Sequence, residues 1–145
     1  MKKILVIDNF DSFTFNLVDF FRVANANVEI FRNNVKLTEI TKFKPELLVF
    51  SPGPGIPKNA GNLLQIIENF HQTVPIFGVC LGFEALIEFF GGTLKFVTPV
   101  HGKSSPINHD SKGIFEGMEQ DFAVGRYHSL VAPPPPIAAK IREFS

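Results

Sequence analysis

The residue best suited to chemistry is the single cysteine, Cys80, set in Gly78-Val79-Cys80-Leu81-Gly82. A thiolate is a strong nucleophile, and glycines on both sides permit the cramped strand-to-helix turn that presents a nucleophile at a sheet's edge. A helix starting at Leu81 would favour thiolate over thiol, and the Leu81 amide could donate to an oxyanion forming beside the sulfur. The alternative is a small buried residue, the usual fate of a lone cysteine. A second loop, Ser51-Pro52-Gly53-Pro54-Gly55, follows a different apolar run. Its glycines let backbone N–H groups approach a substrate closely, as an oxyanion hole requires, although a rigid turn would use the same residues.

Two such loops need a scaffold that brings strand ends together. The first half of the chain alternates short apolar runs with helical patterns, which predicts an α/β fold with an open, mostly parallel sheet flanked by helices. Strands are expected at 4–7, 28–31, 47–50 and 74–79. Asp11 or Ser12 can cap a helix with Phe13, Leu17, Phe20, Phe21 and Ala24 on its buried face. A second helix carries Leu63, Ile66, Ile67 and Phe70, and a third Phe83, Leu86, Ile87 and Phe90, ended by Gly91-Gly92 in a left-handed cap. Beyond Thr93 a strand candidate at 94–97 leads into a polar, glycine-rich stretch, 101–117, with no assignable topology. Pro133-Pro134-Pro135-Pro136 favours extended polyproline backbone.

The bulk numbers fit one domain, residues 1–145, long enough to bury roughly two thirds of its unfolded surface. With 45% hydrophobic and 19% charged residues, the composition is globular. Lys+Arg and Asp+Glu both number 14, so no net charge draws the chain to nucleic acid or an anionic membrane. The apolar run after Met1 ends at Asp8, too short for a signal or a span, and one cysteine cannot form an intrachain disulfide. A cytoplasmic protein is expected, with no metal site and no cofactor.

Five ordered segments carry a resemblance: Ile7-Asp8-Asn9-Phe10-Asp11-Ser12-Phe13-Thr14, the 51–55 loop, the 78–82 turn, His101-Gly102-Lys103-Ser104-Ser105-Pro106-Ile107 and Arg126-Tyr127-His128-Ser129-Leu130-Val131. Together they resemble anthranilate synthase component II and, almost equally, the glutaminase subunit of aminodeoxychorismate synthase. Both are class I glutamine amidotransferases. The resemblance implies a flavodoxin-like amidotransferase fold in which Cys80 attacks the glutamine side-chain amide. It also implies an oxyanion hole from the Gly55 and Leu81 amides, and glutamine contacts from Gly53, Pro54, Gly55, Glu84, Ser129 and Leu130. The partner it implies is a chorismate-binding synthase subunit.

Two departures stand out. The family has His and Glu two residues apart near its C-terminus, whereas His71, His101, His109 and His128 are followed at that spacing by Thr73, Lys103, Ser111 and Leu130. The expectation is an amidotransferase domain incomplete at its C-terminal end, impaired as a glutaminase, with apolar surface left uncovered in a chain of 17 Phe. Where the resemblance has His-Gln after the turn, this chain has Phe83-Glu84. A carboxylate keeps the acceptors of Gln and loses its donors, so glutamine recognition should weaken. Two other readings stay open: a non-catalytic binding relative, and a different cysteine enzyme pairing Cys80 with His128. His101 and His109 are read as subunit contacts or solvated, and His71 as having no special role.

Overall fold

Lys3–Asp8 (β1) is buried at every position after its first, as a parallel strand covered on both faces must be. The computed structural model describes residues 1–132, and the proline run lies outside them. In it β1 is joined by Asn27–Arg32 (β2), Leu47–Phe50 (β3) and Ile76–Gly78 (β4). The order is β2-β1-β3-β4 with every pair parallel, the flavodoxin-like arrangement. Alternation along the strands divides their side chains between two cores. Leu5, Ile7, Leu48 and Phe50 enter one, and Ile4, Val6, Val28 and Val49 the other.

Four helices cover these faces: Thr14–Val23 (α1), Leu37–Phe43 (α2), Leu63–Phe70 (α3) and Leu81–Phe89 (α4). Among the described residues α1 is the helix that covers the second core, through Val18 with Leu17 and Phe21. The other three close the first through Ile40, Leu63, Ile66, Ile67, Leu81 and Ala85. The α1 face differs from the sequence expectation, since Phe13 is 53% and Phe20 72% exposed. The helix begins one residue after Phe13, so its inward stripe runs Thr14, Leu17, Val18, Phe21, and Phe20 falls on the flank. Asp11 does not cap the helix itself: its Oδ1 accepts the Phe13 N–H at 2.8 Å, one residue upstream of the first turn. The α2 helix has no counterpart in the sequence expectation, because it spans only seven residues, with Ile40 buried and Leu37 and Phe43 half-buried against the first core, a stripe too short to stand out in the sequence. Gly91 ends α4 at φ +84°, with the Gly91 and Gly92 amides donating back to Glu88 and Ile87 carbonyls, as expected of a left-handed cap.

Between Gly92 and the last described residue, Ala132, the chain forms a two-stranded antiparallel ribbon, Lys95–Ile107 (β5) against Phe122–Val131 (β6). The 101–117 stretch contributes residues 101–107 to β5, and its remainder leads on to β6 through a short 3-10 turn, Gly113–Phe115. Its irregular sequence reflects register breaks between Phe96 and Val100 and between His101 and Lys103, which bend a strand and interrupt its alternation.

Candidate active site

Cys80 sits at the hinge between β4 and α4 with φ 52° and ψ −111°, a backbone conformation that costs a non-glycine residue on the order of 1–3 kcal/mol and persists only where the surroundings enforce it. The enforcement is visible. A Cβ on Gly78 would lie 2.5 Å from the Gly82 carbonyl carbon, and one on Gly82 would lie 2.5 Å from Phe50 Cβ and from Phe50 O. The start of α4 is thus pressed, backbone to backbone, against its own strand and the neighbouring β3. Glu84 N–H donates to Cys80 O at 2.9 Å, committing the residues after the turn to helix.

The 51–55 loop leaves β3, the strand beside β4. Phe50 pairs with Gly78, and Val79 N–H donates to Phe50 O at 3.0 Å, so the two loops leave the sheet side by side. Gly53 is wedged between the loops, since a Cβ there would lie 2.5 Å from Asn9 Cβ and 2.8 Å from Leu81 Cδ2. Pro54 and Gly55 are placed on the outer side of the loop, and Gly55 has φ +78° with open space where a side chain would be. The sheet order reverses between β1 and β3, and a crevice outside the carboxyl ends at such a point is the usual ligand position in open α/β sheets. The structure therefore gathers Gly53, Pro54, Gly55, Cys80, Leu81 and Glu84 at one end of the sheet.

The electrostatics differ from the expectation of an activated thiol. Burial pushes the Cys80 thiol above its ordinary range, the nearby Glu84 charge raises it further, and Asp11 adds a smaller push. The Leu81 amide, hydrogen bonding to the sulfur, works in the opposite direction without winning. Cys80 counts as exposed for the residue as a whole, yet its sulfur is crowded enough for desolvation to dominate. Glu84 is itself buried, 9% exposed, and burial raises its carboxyl above the usual range.

Ser129 and Leu130 are placed differently. They lie on β6, where Ser129 is exposed and Leu130 buried. Leu130 lines a cavity of about 260 Å³ with Pro57, Lys58, Glu88, Gly92 and Phe96. Glu88 is eight residues along α4 from Cys80, about 12 Å at the helical rise, and Cys80 does not line this cavity. His128 Nε2 accepts from Arg126 Nε at 3.1 Å, while its Nδ1 is buried without a partner among the described residues. His109 organises the loop between the ribbon strands: Nε2 lies 3.0 Å from Glu119 O, Nδ1 accepts from Ser111 N–H, and the ring stacks on Phe115. His71 closes α3, with Nδ1 2.9 Å from Ile67 O and its ring edge-on to Phe89 and Phe90. Sequence reasoning missed Asn9, which is 1% exposed and bonded to the 51–55 loop through both its backbone and its side chain. A polar residue directly after a buried strand was the available signal.

Comparison with known families decides what this arrangement belongs to: the family model "Glutamine amidotransferase class-I" matches residues 5–144. The chain belongs to the class I glutamine amidotransferase family. Among curated members, it is 46% identical over 134 residues to anthranilate synthase component II of Haloarcula marismortui, covering 90% of this chain and 64% of that protein. It is 50% identical over 136 residues to anthranilate synthase component 2 of Haemophilus influenzae, covering 90% and 70%. Aminodeoxychorismate synthase component 2 of Escherichia coli is 44% identical over 138 residues, covering 94% and 74%. This amidotransferase chain thus spans about two thirds of the length of these relatives. A solved structure described as a GMP synthase component of Thermoplasma acidophilum superposes with TM-score 0.79 at 25% identity, covering 91% of this chain and 67% of its own. A glutamine amidotransferase of Thermotoga maritima shares the fold, with TM-score 0.72 at 16% identity and coverage of 93% and 64%. Among the described residues no helix is long and apolar enough to cross a membrane.

Proposed function

We propose that residues 1–145 form an amidotransferase domain of a cytoplasmic glutaminase subunit that delivers ammonia to a chorismate-binding synthase subunit. The observation that carries this reading is Cys80 at positive φ on a glycine-packed turn, beside a second glycine loop, in a chain whose curated relatives include anthranilate and aminodeoxychorismate synthase components. Cys80 Sγ, as thiolate, attacks the side-chain amide carbon of L-glutamine, and the C=O electron pair moves onto oxygen. The Gly55 and Leu81 amides hold that oxyanion. Collapse breaks the C–N bond, the nitrogen leaves as ammonia after taking a proton, and water then hydrolyses the thioester to glutamate and free thiol. Gly53, Pro54, Gly55, Glu84, Ser129 and Leu130 contact the amino acid; for the last two this requires the ribbon to approach the carboxyl end of the sheet.

Proton delivery to nitrogen is the demanding step, and no His-x-Glu occurs in the 145 residues. Loss of a triad member elsewhere lowers turnover on the order of 10⁴ to 10⁶-fold, so these residues by themselves should hydrolyse glutamine negligibly even with the synthase partner present. Nucleophile and binding site are tested separately from turnover. A chloroketone analogue of glutamine should alkylate Cys80 at least tenfold faster than a chloroketone of equal reactivity without the amino-acid head. Equal rates would refute the glutamine site. The anthranilate assignment is favoured over aminodeoxychorismate by most of the relatives named above, and binding to one synthase but not the other would decide it. A non-catalytic binding subunit would instead engage the synthase tightly while Cys80 ignored the glutamine reagent.

A further inference from the structure

Asn9 occupies the first position after β1 and is 1% exposed. Its backbone N–H donates to Ser51 Oγ at 2.8 Å, and its side-chain Nδ2 donates to Ser51 O at 2.8 Å. Its Oδ1 accepts from Asn33 Nδ2 at 3.1 Å. Asn33, 6% exposed, follows the end of β2, and its own N–H donates to Asp8 O at 3.0 Å. Ser51 Oγ passes the bond on to Pro52 O at 2.7 Å. A buried chain of amides and one hydroxyl therefore ties together the carboxyl ends of β2, β1 and β3.

This chain fixes direction as well as position. Asn9 presents nitrogen to the Ser51 carbonyl and oxygen to the Asn33 amide, so turning the side chain over would set oxygen against oxygen and nitrogen against nitrogen. Buried polar networks in which every member is satisfied are rigid. The tie also reaches the nucleophile by packing: the space beside Gly53 is closed by Asn9 and Leu81 together, since a Cβ there would lie 2.5 Å from Asn9 Cβ, 2.7 Å from Asn9 O and 2.8 Å from Leu81 Cδ2. Gly53 thus packs against both Asn9 and Leu81, the residue next to Cys80, with no room for a side chain between them.

We propose that Asn9 is a positioning residue for the oxyanion loop: by gripping Ser51 at two points it sets the height of Gly53 and Gly55 relative to the Cys80 turn. The inference rests on the glutaminase reading above. A sub-ångström error in such a donor is costly, since an oxyanion-hole N–H acts only within about 2.7–3.1 Å of the oxygen it stabilises.

Two reagents on the 145-residue chain test this. Iodoacetamide reads only thiolate and access, whereas the chloroketone analogue of glutamine also needs the loop, because its carbonyl passes through a tetrahedral adduct. Asn9→Ala, and the isosteric Asn9→Asp, which sets an acceptor against the Ser51 carbonyl, should slow chloroketone labelling of Cys80 at least tenfold. The loss should appear mainly in the maximal rate at saturating reagent, with half-saturation little changed. In Asn9→Ala, which adds no charge, iodoacetamide should react within twofold of the parent rate, with the same pH midpoint. Ser51→Ala, which removes only one hydroxyl from the network, should give a smaller loss of the same kind and serves if the Asn9 variants do not fold. Folded variants that keep the parent chloroketone rate, or in which both reagents slow together, overturn the proposal. If the parent chain shows no preference for the glutamine reagent, the glutaminase reading fails and takes this inference with it; a parent preference that survives in the variants fails the inference alone.

Discussion

Before Gly92 and after it, the chain is built on opposite terms. In β1, five consecutive residues are buried, each held by a helix on one face or the other. In β6, half-buried and exposed residues alternate until Leu130, and among the described residues its strand partner is β5. Side chains on the sheet are located by packing from several directions, while those on the ribbon are located mainly by one ladder of hydrogen bonds. The nucleophile, both glycine loops and Asn9 belong to the first region, and Ser129 and Leu130 to the second. A site that draws on both has one rigid wall and one that depends on how the ribbon is held.

One residue type probes both regions. Phe50 is fully buried and Phe96 is 77% exposed. Phe50→Ala should cost about 3–5 kcal/mol of unfolding free energy, the range for emptying a core aromatic position, measured by denaturant titration; a loss under about 1 kcal/mol would mean that the sheet region is not the tightly packed part. Gly82→Ala comes next. Its added methyl meets Phe50 backbone, and overpacking of this kind costs about 1–3 kcal/mol. It should also slow Cys80 alkylation by shifting the turn, and unchanged stability with unchanged alkylation would remove the close contact from the account.

Glu84→Gln gives a smaller, pH-dependent effect. Burial raises the Glu84 carboxyl above its ordinary value, so the folded state holds that proton more tightly than the unfolded state does. Its contribution to stability is therefore fully present below the ordinary carboxylate range and is lost as pH rises through the raised folded value. The Gln variant should lack this decline and be relatively more stable at neutral pH. The same substitution removes the charge that adds to burial in raising the Cys80 thiol, so the pH midpoint of iodoacetamide alkylation should move down. A midpoint that stays or rises would show that the Glu84 charge does not reach the sulfur. Smallest of all is Phe96→Ala, expected within about 0.5 kcal/mol of the parent; a core-sized loss there would erase the contrast between the regions.

Legibility in the sequence follows the same division. Continuous apolar runs marked the four parallel strands, and Leu63, Ile66 and Ile67 marked α3, because burial on several sides leaves a composition that solvent would not select. The turn at Cys80 was legible from its glycines, and the left-handed cap from Gly91. The ribbon is legible only at its start, where the strand expected at 94–97 falls on β5; beyond it, register breaks at Val100 and Lys103 scramble the alternation that identifies a half-exposed strand. The electrostatics of the thiol are hidden for a different reason. A helix start is visible in one dimension, whereas the burial and the Glu84 charge that outweigh it exist only once the chain is folded. The ties of Asn9 are hidden on similar grounds, because its partners are 24 and 42 residues away.

The packing of Gly78 on Gly82 and of Gly82 on Phe50 has a thermal consequence. Nothing in that stack can rotate about a side-chain bond, so warming has no intermediate rotamer to populate between a mounted and an unmounted Cys80. Cys80 alkylation should follow a straight Arrhenius line up to the melting transition and break there abruptly, with the nucleophile keeping its aim for as long as α4 stays on the sheet.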